Sequence, residues 1–247
     1  MGIALVTGAS RGIGKATALQ LAQEGYIVAV NYHHNVNAAT QVVNEIIEKG
    51  GKAFAVRADI SDEAQVMTLF EALDREGEPL TALVNNAGIL FQQSTIENLT
   101  AERINHVLAT NVTGYFLCSR EAVKRMSHKH GGKGGAIVNV SSAASRLGAP
   151  FEYIDYAASK GAVDSLTTGL ALEVAAQGIR VNCVRPGLIY TEMHASGGEP
   201  GRVDRVKSAL PMQRGGQPEE VAQAIVWLLS DKASYVTGSF MDIAGGR

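Results

Sequence analysis

Cysteine is nearly missing from this chain: Cys118 and Cys183 are its only two in 247 residues. They lie far apart in apolar contexts, which excludes a disulfide framework and leaves two buried thiols in a reducing cytosol as the expectation. Long apolar runs are missing too. The longest, such as 225–229, fall far short of the ~18 residues that span a bilayer. The first residues after Met1 read as a strand, with no charged n-region or apolar h-region, and Val6 stands where a myristoylation signal needs Ser or Thr. A cytoplasmic protein with no membrane partner is expected. Basic residues never run beyond two and the net charge is −2, which excludes a nucleic-acid footprint. Charged residues make up 19% against 46% hydrophobic, too few charges for a disordered chain. His128-Lys129-His130 has no acid or thiol nearby, so it reads as a solvated helix end and no metal is expected.

What the chain does have is alternation. Short runs rich in Val, Ile and Ala at 3–7, 27–31, 53–57, 82–85, 136–141, 180–184 and 239–243 read as strands buried on both faces. Between them, 13–24, 37–49, 62–76, 101–128, 154–176 and 218–230 read as helices. Gly25, Gly50, Gly77 and Gly178 stand where helices should stop, and Pro218 with Glu219 and Glu220 marks a start. Strict β-α alternation implies parallel pairing with right-handed crossovers. The predicted fold is α/β: one doubly wound parallel sheet of about seven strands, a Rossmann fold, in a single domain over 1–247. No repeat or low-complexity linker divides it.

After the first strand comes Thr7-Gly8-Ala9-Ser10-Arg11-Gly12-Ile13-Gly14, then a helix. Such glycines let backbone approach a pyrophosphate at a helix N-terminus, though a glycine turn of purely structural origin fits the same residues. Further along stand Asn85-Asn86-Ala87-Gly88 after the fourth strand, Asn111 within a helix, Ser142, Tyr156-x-x-x-Lys160 and Pro186-Gly187. In this order and over nearly the whole chain, these motifs resemble the short-chain dehydrogenase/reductase family, in particular the branch that includes the 3-oxoacyl-carrier-protein reductases.

The resemblance implies an oxidoreductase that binds a nicotinamide dinucleotide and exchanges a hydride with a small carbonyl or alcohol substrate. The acid that would bind the adenosine ribose 2′-hydroxyl is expected about 20 residues beyond the glycines. Tyr32 stands there instead, between Asn31 and His33, and Arg11 could pair with a 2′-phosphate. NADP(H) is therefore expected ahead of NAD(H). Asp59-Ile60 resembles the family's adenine-edge contact, and a helix-capping Asp59 fits nearly as well, because Ser61 and Asp62 crowd the same turn.

Tyr156 and Lys160 are four apart in a helical stretch and so share a face. A neighbouring ammonium should lower the phenol's pKa and ready it for proton transfer. Ser142, at the carboxyl end of the fifth strand, could hold the substrate oxygen. Ser141 beside it points to the opposite face, and Tyr153 is a rival phenol with no lysine four residues on. By resemblance, Lys160 also contacts the nicotinamide ribose and Asn111 holds a water next to Lys160. Pro186, Gly187, Ile189 and Thr191 would reach the carboxamide, and Asn86, Ala87 and Gly88 would line the cofactor. The segment 188–213 is expected to form a lid, with His194 on its surface. The Ser142-to-Tyr156 interval runs one residue longer than the commonest family interval, so the family does not give this chain its substrate. The family also implies a homotetramer built on 101–126, 154–176 and 218–243, with Trp227 and Phe240 as anchors. The reading from another class is a non-catalytic dinucleotide sensor or scaffold. It would have no use for Asn111, Ser142, Tyr156 and Lys160 together.

Overall fold

A computed structural model describes residues 2–247. Seven parallel strands form one sheet in the order β3-β2-β1-β4-β5-β6-β7. They are β1 (Ile3–Val6), β2 (Ile27–Tyr32), β3 (Lys52–Arg57), β4 (Leu80–Asn85), β5 (Gly135–Val140), β6 (Ile179–Pro186) and β7 (Phe240–Ile243). The long connecting helices are α1 (Gly12–Gln23), α2 (Val36–Glu48), α3 (Glu63–Asp74), α4 (Ala101–Leu108), α5 (Gly114–Met126), α7 (Ile154–Val174) and α10 (Pro218–Leu229). Three short helices lie near the carboxyl edge of the sheet: α6 (Ala144–Leu147), α8 (Met193–Ser196) and α9 (Arg202–Val206). The doubly wound single sheet read from the sequence is the fold observed.

Strand periodicity divides the core between two faces. In β1, Ile3 and Leu5 join one cluster with Phe70 of α3, Met126 of α5 and Val163 of α7. Ala4 and Val6 join the other, with Leu21 of α1, Val42 of α2 and Ile225 of α10. Both faces are therefore apolar, which is why the strands lack polar alternation. The four glycines expected to stop helices all sit in the left-handed region.

One expected element differs. The helix anticipated over 101–128 is divided: a π-helical turn at Ala109–Thr113 separates α4 from α5, and α5 stops at Met126. Ser127 is extended and its hydroxyl accepts from the Lys129 N–H, which ends the helix before His128. A one-residue widening of this kind has no signature in apolar periodicity.

The chain winds outward from β1 to β3, then crosses back so that β4 lies on β1's other side. The loops leaving β1 and β4 diverge at that switch point, opening a crevice at the carboxyl edge where such sheets take ligands.

Candidate active site

The crevice is shaped by hydrogen bonds between the two diverging loops. Thr7 Oγ1 accepts the backbone N–H groups of Asn86 and Ala87 at 2.9 and 3.0 Å. Asn86 Nδ2 donates to the carbonyls of Thr7 and Gly8 at 2.8 and 3.1 Å. Gly8 has φ +62°, and a Cβ there would lie 2.8 Å from Ala87 Cα. A Cβ on Gly14 would lie 2.5 Å from Asn86 Nδ2 and from the Gly8 carbonyl oxygen. These positions therefore require glycine, and they bring bare backbone to the N-terminus of α1, as a pyrophosphate cradle needs. Ser10, Gly12 and Ile13 are half-buried beside it, and Arg11 is exposed, with no ion pair among the described residues. Across the crevice, Thr191 Cγ2 lies 3.3 Å from where a Gly12 Cβ would stand. A cleft of about 510 Å³ opens there between α1 and the turn carrying Tyr190, Thr191 and Glu192.

Some expected cofactor residues serve the scaffold. Asn31 is buried; its Oδ1 accepts the Gly8 N–H and its Nδ2 donates to the Val56 and Ala58 carbonyls, so it braces the glycine turn from behind. The Ile60 side chain is buried against Gly114 in the core. Asp59 caps its own turn: Oδ1 accepts the Ser61 N–H and hydroxyl, while Oδ2 lies 3.7 Å from His33 Nε2. Tyr32 remains half-buried at the strand end, paired in register with Arg57. Arg57 was not anticipated, because only the β2–β3 register sets it beside Tyr32. It is exposed, and its Nε donates to the His33 carbonyl. Pro186 and Ile189 are buried, and a Cβ on Gly187 would meet Ala244 Cα at 2.8 Å.

At the other end of the crevice, Ser142, Tyr156, Lys160, Asn111 and Gly88 come together. Adjacent serines on β5's extension face opposite ways: the buried Ser141 hydroxyl donates to the Lys160 carbonyl, while the half-buried Ser142 hydroxyl accepts the Ala144 N–H at 3.1 Å and lies near enough to the Tyr156 phenol to favour its phenolate. Lys160 is buried and its Nζ donates to the Val140 carbonyl at 2.8 Å and to Tyr115 Oη at 3.4 Å. Asn111 sits in the π turn; its Oδ1 accepts the Ile89 N–H at 2.8 Å, and its Nδ2 donates to the Ile89 carbonyl and to Ser159 Oγ. A Cβ on Gly88 would stand 3.5 Å from Asn111 Oδ1 and 3.6 Å from Lys160 Nζ. Tyr115 and Ser159, which hold Lys160 and Asn111, carry no motif signature.

Electrostatics correct one expectation. Burial pushes the Tyr156 phenol up to about 12, opposed by the neighbouring Ser142 hydroxyl and by the positive charge of Arg202. Burial outweighs any help from Lys160, whose ammonium lies 5.6 Å from the Tyr156 ring centroid and donates to the Val140 carbonyl. Burial lowers the ammonium itself to about 8. Tyr153, the rival phenol, is buried and donates its hydroxyl to the Gly197 carbonyl at 3.1 Å. His194 is half-buried rather than on the surface, with Nε2 2.8 Å from the Ile189 carbonyl and a pKa lowered by burial. The segment 188–213 thus bonds across the crevice, helped by Arg202 to Glu152 at 2.5 Å and Gln93 to Glu199 at 2.9 Å. Cys118 and Cys183 are both buried and free, their thiols pushed up to about 12 by desolvation.

The chain is similar to known proteins along nearly its whole length. A family model described as enoyl-(acyl carrier protein) reductase matches residues 8–247. The chain is 78% identical over 247 residues to the uncharacterized oxidoreductase YgfF of Escherichia coli (strain K12), covering all of both. It is 38% identical over 243 residues to the 3-oxoacyl-(acyl-carrier-protein) reductase FabG of Staphylococcus aureus, covering 98% of this chain and 96% of that protein. A solved structure of a short-chain type dehydrogenase/reductase from Mycobacterium marinum superposes with a TM-score of 0.92 at 36% identity, covering 99% and 94% of the two chains. The chain belongs to the short-chain dehydrogenase/reductase family. It is an oxidoreductase, as the motif order implied. No helix of the described residues is long and apolar enough to cross a membrane.

The Lys160 environment yields a pH test. The folded pKa, about 8, lies below the ordinary 10.5, so the unfolded chain binds more protons between those values. Burying the charged ammonium therefore costs stability in full below pH 8, and the cost fades as pH rises towards 10.5. In denaturant unfolding, wild type should gain on Lys160→Met by up to about 3 kcal/mol across that window. A stability difference that stays flat or falls would show that the ammonium is not desolvated.

Proposed function

We propose that this oxidoreductase is an NADP(H)-dependent reductase of a small carbonyl compound, with Tyr156 as proton donor. The reading rests on one observation above all: Ser142 at the sheet's carboxyl edge lies near enough to the Tyr156 phenol to favour its phenolate, beside a buried lysine and at the far end of the glycine crevice. Bound NADPH would supply the hydride that reduces the carbonyl carbon. The Ser142 hydroxyl holds the substrate oxygen, and Tyr156 gives that oxygen its proton, completing the alcohol. A phenol held near 12 stays protonated at neutral pH, and an oxygen becoming an alkoxide is a stronger base than a phenolate, so the transfer runs downhill. Lys160 holds the Val140 carbonyl and offers the nearby positive charge that supports the phenolate left behind. Asn111 fixes Ile89 and Ser159 around Lys160, at the place where the family holds a water.

The cofactor preference rests on charge. Arg11 has no carboxylate partner among the described residues, Arg57 stands at the end of the neighbouring strand, and Tyr32 supplies no carboxylate to repel a phosphate. The chain is proposed to work as a soluble cytoplasmic homotetramer. Leu108, Phe116 and Leu172 expose apolar surface on α4, α5 and α7, and Trp227 on α10 is 39% exposed.

Each part has its measurement. NADPH should bind more tightly than NADH, and Tyr32→Asp should shift the preference towards NADH; tighter NADH binding by wild type would refute the assignment. Light scattering should return about four times the 26.0 kDa chain mass, and a monomer at micromolar concentration would refute the assembly. Against a panel of ketones, 3-oxoacyl esters, sugars and quinones, Tyr156→Phe should cut turnover by roughly 10²–10⁴-fold while leaving NADPH affinity nearly intact. Tyr153→Phe should cost far less. The reverse order would move the proton donor to Tyr153.

A further inference from the structure

α7, which carries Tyr156 and Lys160, begins without a side-chain cap: Tyr153 occupies the N-cap position and offers none. The first-turn N–H of Tyr156 itself is satisfied by the residue before it. Asp155 Oδ1 accepts that N–H at 2.9 Å, and the Asp155 side chain is 2% exposed. The same carboxylate is gripped by Arg103 of α4, with Nε donating to Oδ2 at 2.7 Å and Nη2 to Oδ1 at 3.3 Å. Arg103 Nη1 donates to the Gln92 carbonyl at 2.8 Å, and the guanidinium lies 5.7 Å from the Phe91 ring centroid. Phe91 in turn meets the His106 ring edge-on at 5.4 Å.

Three segments therefore meet at one largely buried ion pair, its carboxylate 2% and its guanidinium 16% exposed: the first turn of α7, the helix α4, and residues 89–94. That last segment runs from Ile89, bonded to Asn111, to Gln93 and Ser94, which bond Glu199 and the Glu152 carbonyl. A buried ion pair contributes little net stability compared with apolar side chains of the same volume, because desolvation offsets most of its Coulomb energy. What a planar fork on a carboxylate supplies is fixed geometry.

We propose that Arg103 and Asp155 are positioning residues for proton transfer, fixing the start of α7, and so the Tyr156 phenol, against the 89–94 wall of the crevice. The proposal rests on Tyr156 being the proton donor. A displacement of the phenol of about 1 Å is enough to cost up to 100-fold in rate.

Arg103→Lys separates geometry from charge, since it keeps the cation and loses the fork. Arg103→Gln/Asp155→Asn removes both charges together, so neither is stranded, and serves if the lysine variant is unstable. Unfolding midpoint, NADPH Kd, and kcat and KM for the best panel substrate are measured for each, with Tyr156→Phe alongside. We expect kcat to fall ~10- to 100-fold in a folded variant while NADPH Kd stays within twofold. A kcat loss below fivefold overturns the proposal, because a merely structural or electrostatic role is met by lysine. So does an NADPH Kd that weakens as far as kcat falls, which would mark general loosening. If Tyr156→Phe keeps its turnover, the donor assignment fails and the clamp falls with it. If only the clamp variants keep theirs, the clamp fails alone.

Discussion

Lys160 Nζ sits inside the protein with one short hydrogen bond, to the Val140 carbonyl at 2.8 Å, and a longer one to the Tyr115 hydroxyl. Desolvating an ammonium is expensive, and here it costs enough to bring the group down to about 8. Much of the surrounding structure answers to that burial. β5 ends where its last carbonyl can accept the ammonium's hydrogen bond, α7 lies against β5 so that Ser141 can tie down the Lys160 carbonyl, and α5 supplies Tyr115. A charge held this way cannot relax towards solvent when a partner beside it changes charge. That is the condition under which a fixed cation helps proton transfer.

The other half of the crevice is built from neutral hydrogen bonds. Thr7 and Asn86 cross-link the loops that leave β1 and β4, and glycines at 8 and 14 let those loops pass at distances no side chain allows. Asn31 braces the turn from the β2 side. The glycine turn leaves β1, and Ser142 extends β5 beyond the intervening β4. α7, with Tyr156 and Lys160, is tied to β5 through Ser141, so the separation of the two ends of the crevice is set by the sheet. Residues on rigid elements hold catalytic geometry better than residues on loops.

Much of this was legible in the sequence because it rests on local rules. Seven apolar runs, four helix-stopping glycines and the proline-acid start at 218 depend on nothing beyond their neighbours in the chain. The family motifs carried Ser142, Tyr156, Lys160 and Asn111 to one region in advance, and alternation alone separated Ser141 from Ser142. The rest depends on contacts between distant segments. Asn31 and Ile60 look like ligand residues in a motif, yet packing turns both inward. Arg57 becomes relevant only through the β2–β3 register. The π turn at Asn111, the Arg103–Asp155 fork and the bond from Tyr153 to Gly197 each join residues whose spacing carries no pattern. The burial that outweighs Lys160 at the Tyr156 phenol is hidden in the sequence for the same reason. Helical spacing places the two on one face but does not say which acceptor the ammonium prefers.

The central claim is that this crevice moves a hydride between a nicotinamide and a carbonyl carbon. Incubation with NADPH deuterated on the transferred position at C4, followed by mass analysis of the alcohol from the best carbonyl substrate, tests it directly. The account predicts one deuterium on the carbinol carbon, with the hydroxyl proton drawn from solvent. Tight NADPH binding with no label transferred to any carbonyl would contradict it and make the protein a dinucleotide-binding sensor.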